Sequence, residues 1–205
     1  MYKFEIVRGL YANMNAIRRD ERRGHSFLLR RSVGLESQKL PGQIVFISAQ
    51  EMEDEYPQLT PKERETVYTR KHRAIFVSQV GKTLKSGGKH DDRAPDYDDW
   101  DLNGDILVHH EGLHTALELS SMGIRVTKDS LINQLTACEA SNRLDLQFHK
   151  CLTNGRLPHY TIGGGIGQSR LCMYLLDKIH IGEVQASLWD KKTLVECTER
   201  NITLL

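Results

Sequence analysis

Aromatic residues are scarce, at 7% of the chain, which speaks against RNA recognition by base stacking. No apolar run approaches the roughly 18 residues that would span a bilayer, and the opening MYKFEIVRGL has no apolar stretch of the signal-peptide kind. Neither sign of charge dominates. The 28 Lys and Arg set against 27 Asp and Glu leave a formal net charge of +1, far short of the field that a general DNA-coating protein needs. The four cysteines (Cys138, Cys151, Cys172, Cys197) form no C-x-x-C pair. A zinc knuckle or disulfide frame is therefore not indicated, and reduced, mostly buried thiols are expected. These absences together describe a cytoplasmic protein with neither a membrane nor a nucleic-acid partner. The chain is long enough, at 205 residues with 39% apolar content, to bury a core, and no repeat or linker divides it, so residues 1–205 are read as one domain.

Charge is uneven along that domain. Residues 1–31 hold eight Lys and Arg against three acids, whereas DDRAPDYDDWDLNGD, residues 91–105, holds seven Asp and one Arg. Blocks of opposite sign in one small domain suit a site that handles both anions and cations.

The local patterns mix strands with helices bunched late. Leu10–Ile17 reads as a strand, Arg18–His25 as an arginine-rich loop and Ser26–Arg30 as a returning strand. Gln43–Ser48, Ala74–Val80, Asp105–Val108 and Ala116–Val126 are further strand candidates. Alternation along the last of these predicts Glu118 and Ser120 on one face, with Leu117 and Leu119 on the other. TPKERE is a complete helix start: Thr60 caps, Pro61 takes the first helical position and Glu63 closes a capping box. Thr127 is placed to cap a helix over Leu131 and Leu135. Ser141 is placed to cap another, with Leu144, Phe148 and Leu152 buried and Gly155 at its end. Leu171, Leu175 and Ile179 recur at helical spacing. The order favours an α+β fold around a mainly antiparallel sheet.

Four short strings look like chemistry. HEGLH (His110–His114) matches the zinc-hydrolase H-E-x-x-H, but Gly112 interrupts it and no third ligand follows. DWDLNGD (Asp99–Asp105) copies half a calcium loop, yet its twelfth position is His110 and Pro95 precedes it, so a turn between strands is the better reading. VGKT (Val80–Thr83) lacks the glycine-rich loop of a Walker motif, since Phe76 stands where a glycine is required. GGGIGQSR (Gly163–Arg170) is the strongest. Its bare backbone admits close approach of a flat or phosphate-bearing ligand, a helix begins just afterwards, and Arg170 sits in that helix's first turn, where a cation suits an anionic ligand better than the helix itself.

RAPDYDDW (Arg93–Trp100), LNGDIL (Leu102–Leu107), ELSSMGIRV (Glu118–Val126), TIGGGIGQSRLCM (Thr161–Met173) and HIGEVQASLW (His180–Trp189) follow one another in this order. Together they resemble the ammonia-dependent asparagine synthetase, or aspartate–ammonia ligase, family, and LYANMNAIRRDE (Leu10–Glu21) is similar to its second class II motif. The resemblance implies a class II aminoacyl-tRNA synthetase-like catalytic domain, an antiparallel sheet flanked by helices. It also implies a homodimeric enzyme that uses ATP to activate aspartate as an adenylate, which ammonia attacks to give asparagine, AMP and pyrophosphate.

Joining a carboxylate to the α-phosphorus crowds negative charge, so fixed arginines and Mg²⁺ are needed. On this resemblance Arg18 holds the α-phosphate, and Arg170 meets the γ-phosphate or stacks on adenine. Asp105 and Glu118 supply hard oxygens to Mg²⁺, while Ser120 and Ser121 line the floor. Arg93 grips a substrate carboxylate, and Asp98 holds the substrate ammonium or guides ammonia. Gly164 and Gly165 let aspartate lie against bare backbone.

The family's long N-terminal segment, with its first motif, has no counterpart in the sequence. HSFLLRRSVGLESQKLPGQ (His25–Gln43) also replaces a Gln/Asp/Trp-rich return strand and shortens the connection. An exposed sheet edge and a reduced amino-acid half of the site are expected. The alternative function is a catalytically impaired paralogue or fragment that binds ATP or a synthetase-like partner without turnover.

Overall fold

The computed structural model describes residues 40–157 and 161–205. The expected elements between Leu10 and Arg30, together with Arg18, lie outside them. Five strands form one sheet in the order β1 (Val45–Ser48), β2 (Ala74–Ser78), β3 (Asp98–His110), β4 (Thr115–Arg125) and β5 (Ile162–Ile166). β1 runs parallel to β2, and every other pairing is antiparallel. The α+β class read from the sequence is the one observed. Among the described residues β5 is an edge of the sheet, with Ile162 and Ile166 exposed.

Helices α1 (Ala49–Glu55) and α2 (Pro61–His72) begin at capping boxes. Ser48 and Thr60 accept from the third helical N–H, while Glu51 and Glu63 reach back to the cap, which satisfies donors that a helix start leaves free. Their buried Ala49, Met52 and Tyr68 pack with Ile75, Val77 and Leu107 of the sheet. The neighbouring residues of the same strands, Ala74, Phe76, Ile106 and Val108, point the other way and meet Leu119, Met122 and Tyr174, the last from α5 (Gln168–Leu175). Alternation at period two thus feeds two separate cores from one sheet. A third cluster joins Val126, just past β4, to Leu131 and Leu135 of α3 (Lys128–Ala137) and Leu152 of α4 (Gln147–Thr153). A last helix, α6 (Lys191–Glu199), starts at Asp190, whose carboxylate accepts from Thr193 N.

Three expectations are corrected. The Ser141–Gly155 segment is a 3₁₀ turn (Ser141–Asp145) followed by α4, because extended Leu146 separates them. His149 rather than Phe148 is then buried beside Leu152. DWDLNGD is no turn between strands. It lies within β3, where the pairing jumps from Asp98 to Asn103 and the intervening residues bulge out. Only Cys197 of the four cysteines is buried, although all four are free thiols.

Gly104 of β3 has no room for a side chain. A Cβ there would stand 2.4 Å from the Val77 carbonyl oxygen and 2.5 Å from the Phe76 ring. Since backbone and a buried ring cannot step aside, Gly104→Ala is expected to lose about 3 kcal/mol of stability, the upper end of overpacking costs. Urea unfolding measures it, and an unchanged midpoint contradicts the packing.

Candidate active site

β4 carries the centre of the site, and one irregularity decides which of its side chains face it. Leu107 pairs with Glu118 and Ile106 with Ser120, so Leu119 is an extra residue, a β-bulge. The strict alternation expected from the sequence breaks there. Ser121, opposite Asp105, joins Glu118 on one face, while Ser120, opposite Ile106, turns to the other. Ser120 is used structurally: its hydroxyl donates to Gly165 O at 2.9 Å and holds β5 against β4.

Beyond the bulge the alternation resumes, and Ser121, Gly123 and Arg125 follow along the Glu118 face. Gly123 pairs with Gly163 of β5, giving a floor without side chains. Asp98 folds over Gly123, where a Cβ would be 2.7 Å from its carboxyl carbon. The Arg125 guanidinium lies over Gly163, where a Cβ would be 1.9 Å from Nη2. The two side chains form an ion pair across the bare floor, with the guanidinium stacked 3.8 Å from the centre of the Tyr97 ring.

At the other end of the same cleft, whose volume is about 280 Å³, Arg170 from the first turn of α5 reaches β4. Its Nη1 is 3.4 Å from Glu118 Oε1 and 3.5 Å from Glu118 O. The cleft is therefore a trough of glycine backbone closed by one acid–arginine pair at each end.

A model of the family described as "Aspartate-ammonia ligase" matches residues 28–201. The chain belongs to the aspartate–ammonia ligase family. The aspartate–ammonia ligase of Ruminiclostridium cellulolyticum is 47% identical over an alignment of 243 positions covering 100% of this chain and 72% of the relative. That of Pediococcus pentosaceus is 45% identical, again covering all of this chain and 72% of the relative. Both alignments are longer than the 205 residues of this chain, so these ligases carry residues with no counterpart here. Among solved structures, an Entamoeba histolytica asparaginyl-tRNA synthetase in complex with asparaginyl-adenylate superposes at TM-score 0.59 and 15% identity, over 90% of this chain and 44% of its own. The Pyrococcus horikoshii asparaginyl-tRNA synthetase gives 0.51 at 18% identity, over 78% and 42%. At such identities the likeness concerns the fold, which is that of the class II synthetases.

Of the residues that the family resemblance singled out, the structure gathers Asp98, Glu118, Ser120, Ser121, Gly164, Gly165 and Arg170 along one cleft. Gly165 opens onto free space, but Gly164 is small for another reason: a Cβ there would be 2.8 Å from Met122 Cβ. Arg93 is not among the residues lining the cleft. It is paired with Asp105, which stands beside the cleft on the Glu118 face. Arg125, Tyr97 and Gly163 were missed as site residues, although spacing by two from Ser121 would have placed Arg125 on the correct face.

Burial raises the Asp105 carboxyl to about 6, with the Arg93 guanidinium pulling the other way. Asp98 is also raised by burial, against the pull of Arg125. A carboxyl raised on folding binds protons more readily in the folded state, so its contribution weakens stability as pH rises from about 4 to 6. For Asp105 the loss amounts to about 3 kcal/mol. Relative to Asp105→Asn, the wild-type chain without nucleotide or metal should therefore lose stability across that window. A flat difference between their denaturation curves at pH 4 and pH 7 would contradict it.

HEGLH forms no zinc site. His110 ends β3, Glu111–Leu113 is a 3₁₀ turn and His114 is left-handed at φ 54°, so the two imidazoles share no helix face. Among the described residues no three or more His, Cys, Asp or Glu converge to hold a metal. Two carboxylates suffice only for an ion that keeps waters and phosphate oxygens, as Mg²⁺ does.

Proposed function

We propose that the chain makes asparagine from aspartate, ammonia and ATP, with the two acid–arginine pairs of the cleft dividing the substrates between them. A cleft closed at one end by Asp98 and Arg125 carries the reading. An α-amino acid presents an ammonium and a carboxylate on one carbon, and this pair offers the complement of each. Held there, the substrate directs its side-chain carboxylate along the bare glycines toward Glu118 and Arg170. Arg125 thus takes the carboxylate-gripping role expected of Arg93, whose guanidinium fixes Asp105 instead.

Arg170 faces the triphosphate, and its fork suits phosphate oxygens. Glu118 and Asp105 are the residues that would hold Mg²⁺. Asp105 Oδ1 is buried without a hydrogen-bond partner, a cost offset when a cation takes the oxygen. When bound, that ion would neutralise phosphate charge. The aspartate side-chain oxygen attacks the α-phosphorus and pyrophosphate leaves. Ammonia then attacks the acyl carbon, AMP leaves with the former carboxylate oxygen, and one proton is released. Arg18 on the α-phosphate, a cytoplasmic location and a homodimer complete the proposal; the free thiols are in keeping with the location.

The protein incubated with aspartate, ammonium, ATP and Mg²⁺ should yield asparagine, AMP and pyrophosphate in equal amounts. Formation of ADP and phosphate instead, or no asparagine from folded protein, overturns the activity. The reading as an impaired paralogue is not favoured, because the likeness to aspartate–ammonia ligases extends over the whole chain.

A further inference from the structure

Gln134 lies on α3 between the buried Leu131 and Leu135 and is itself only 6% exposed. An amide in such a position lowers stability unless its polar atoms are paired. All of its pairing goes to one segment. Nε2 donates to Pro95 O at 2.9 Å and to Asp98 O at 3.1 Å, and Oε1 accepts from Trp100 N at 2.9 Å. That segment needs an outside partner, because the β3–β4 pairing skips from Asp98 to Asn103. Two further ties come from the same side. Val126 N donates to Tyr97 O at 3.1 Å, and the Asp96 carboxylate takes Arg143 at 3.3 Å and His149 at 3.2 Å.

We propose that Gln134 is a positioning residue for the amino-acid substrate, acting through the main chain of residues 95–100 to set Asp98 against Arg125. The proposal rests on the reading of that pair as the amino-acid subsite. Only an amide supplies one acceptor and two donors over so short a span; glutamate has no donors to give and leucine has neither. Freed of Gln134, the bulged segment keeps its covalent path but loses its register, and Asp98 no longer meets a carbon held by Arg125. The Glu118–Arg170 end shares none of these contacts.

Gln134→Leu and the isosteric Gln134→Glu are compared with wild type by steady-state kinetics and by hydrogen exchange of residues 95–100. Met52→Ala, in the core under α1, serves as a control that loosens the protein in a cluster separate from the one that holds Leu131 and Leu135. Either Gln134 variant should raise the aspartate KM roughly tenfold, as expected for two or more lost hydrogen bonds, with the ATP KM unchanged; in Gln134→Leu, which also removes the acceptor, the Trp100 amide should exchange faster. The glutamate variant carries the test where the leucine variant does not fold. An unchanged aspartate KM in an active enzyme, a parallel rise in both KM values, or the same split in Met52→Ala overturns the proposal. A wild-type chain that makes no asparagine refutes the activity instead, and the exchange of the Trp100 amide then decides the clamp alone.

Discussion

Arg125→Ala will lower kcat/KM for aspartate by about a thousandfold, the scale of about 4 kcal/mol at which truncating one member of a desolvated charge pair is felt. Two losses combine. Among the described residues no other guanidinium lines that end of the cleft, Arg93 being tied to Asp105. Asp98 is also left half-buried beside Tyr97 with its counter-charge removed, and burial already pushes its carboxyl upward. It will therefore protonate more readily and hold the ammonium less well. The effect falls on aspartate and spares ATP. Arg125→Lys restores charge without the planar fork that stacks on Tyr97, so it recovers only part of the loss. Steady-state kinetics with each substrate varied in turn decides the matter: an Arg125→Ala enzyme with the wild-type aspartate KM would remove this residue from the subsite.

Arg170→Ala acts at the opposite end. Its guanidinium meets Glu118 through both carboxylate and main chain, and in the proposed complex it also faces phosphate. Losing a fixed cation that meets the bound triphosphate and the charge developing on it costs about 3–4 kcal/mol, a drop in kcat/KM for ATP of a few hundredfold or more. The loss should appear in nucleotide binding measured directly by titration and leave the aspartate dependence alone. Wild-type affinity for nucleotide in this variant would place the triphosphate elsewhere. Together the two variants separate the halves of the cleft, each failing with one substrate only.

Much of this arrangement was legible in the chain because the signals are local. Thr60, Pro61 and Glu63 specify a helix start without reference to anything distant, and α2 begins there. Thr127 does the same for α3. Gly163–Arg170 announced a bare backbone and a helix start, both of which are present, but not the strand β5 that carries the glycines. The faces of β4 were not legible, because the bulge at Leu119 depends on pairing with β3. One inserted residue exchanges the roles of Ser120 and Ser121. Arg125 escaped notice for a related reason: its importance comes from Asp98, far away in the chain, and from a glycine on a third strand that leaves room for it. Gly164 was misread for want of the same information, its missing side chain answering to Met122 in the core. The break at Leu146 follows from an extended backbone that the apolar spacing of Leu144, Phe148 and Leu152 does not betray.

The acid–arginine pair over the paired glycines has a consequence for discrimination. Asp98 and Arg125 neutralise each other across the trough, so admitting a zwitterion is an exchange of partners in which each charge gives up one neighbour and gains another. A visitor bearing only the anion, or only the cation, would engage one of the two and strand the other in a poorly hydrated place. Rejection of plain dicarboxylates and plain amines would thus be written into the resting state of the pocket.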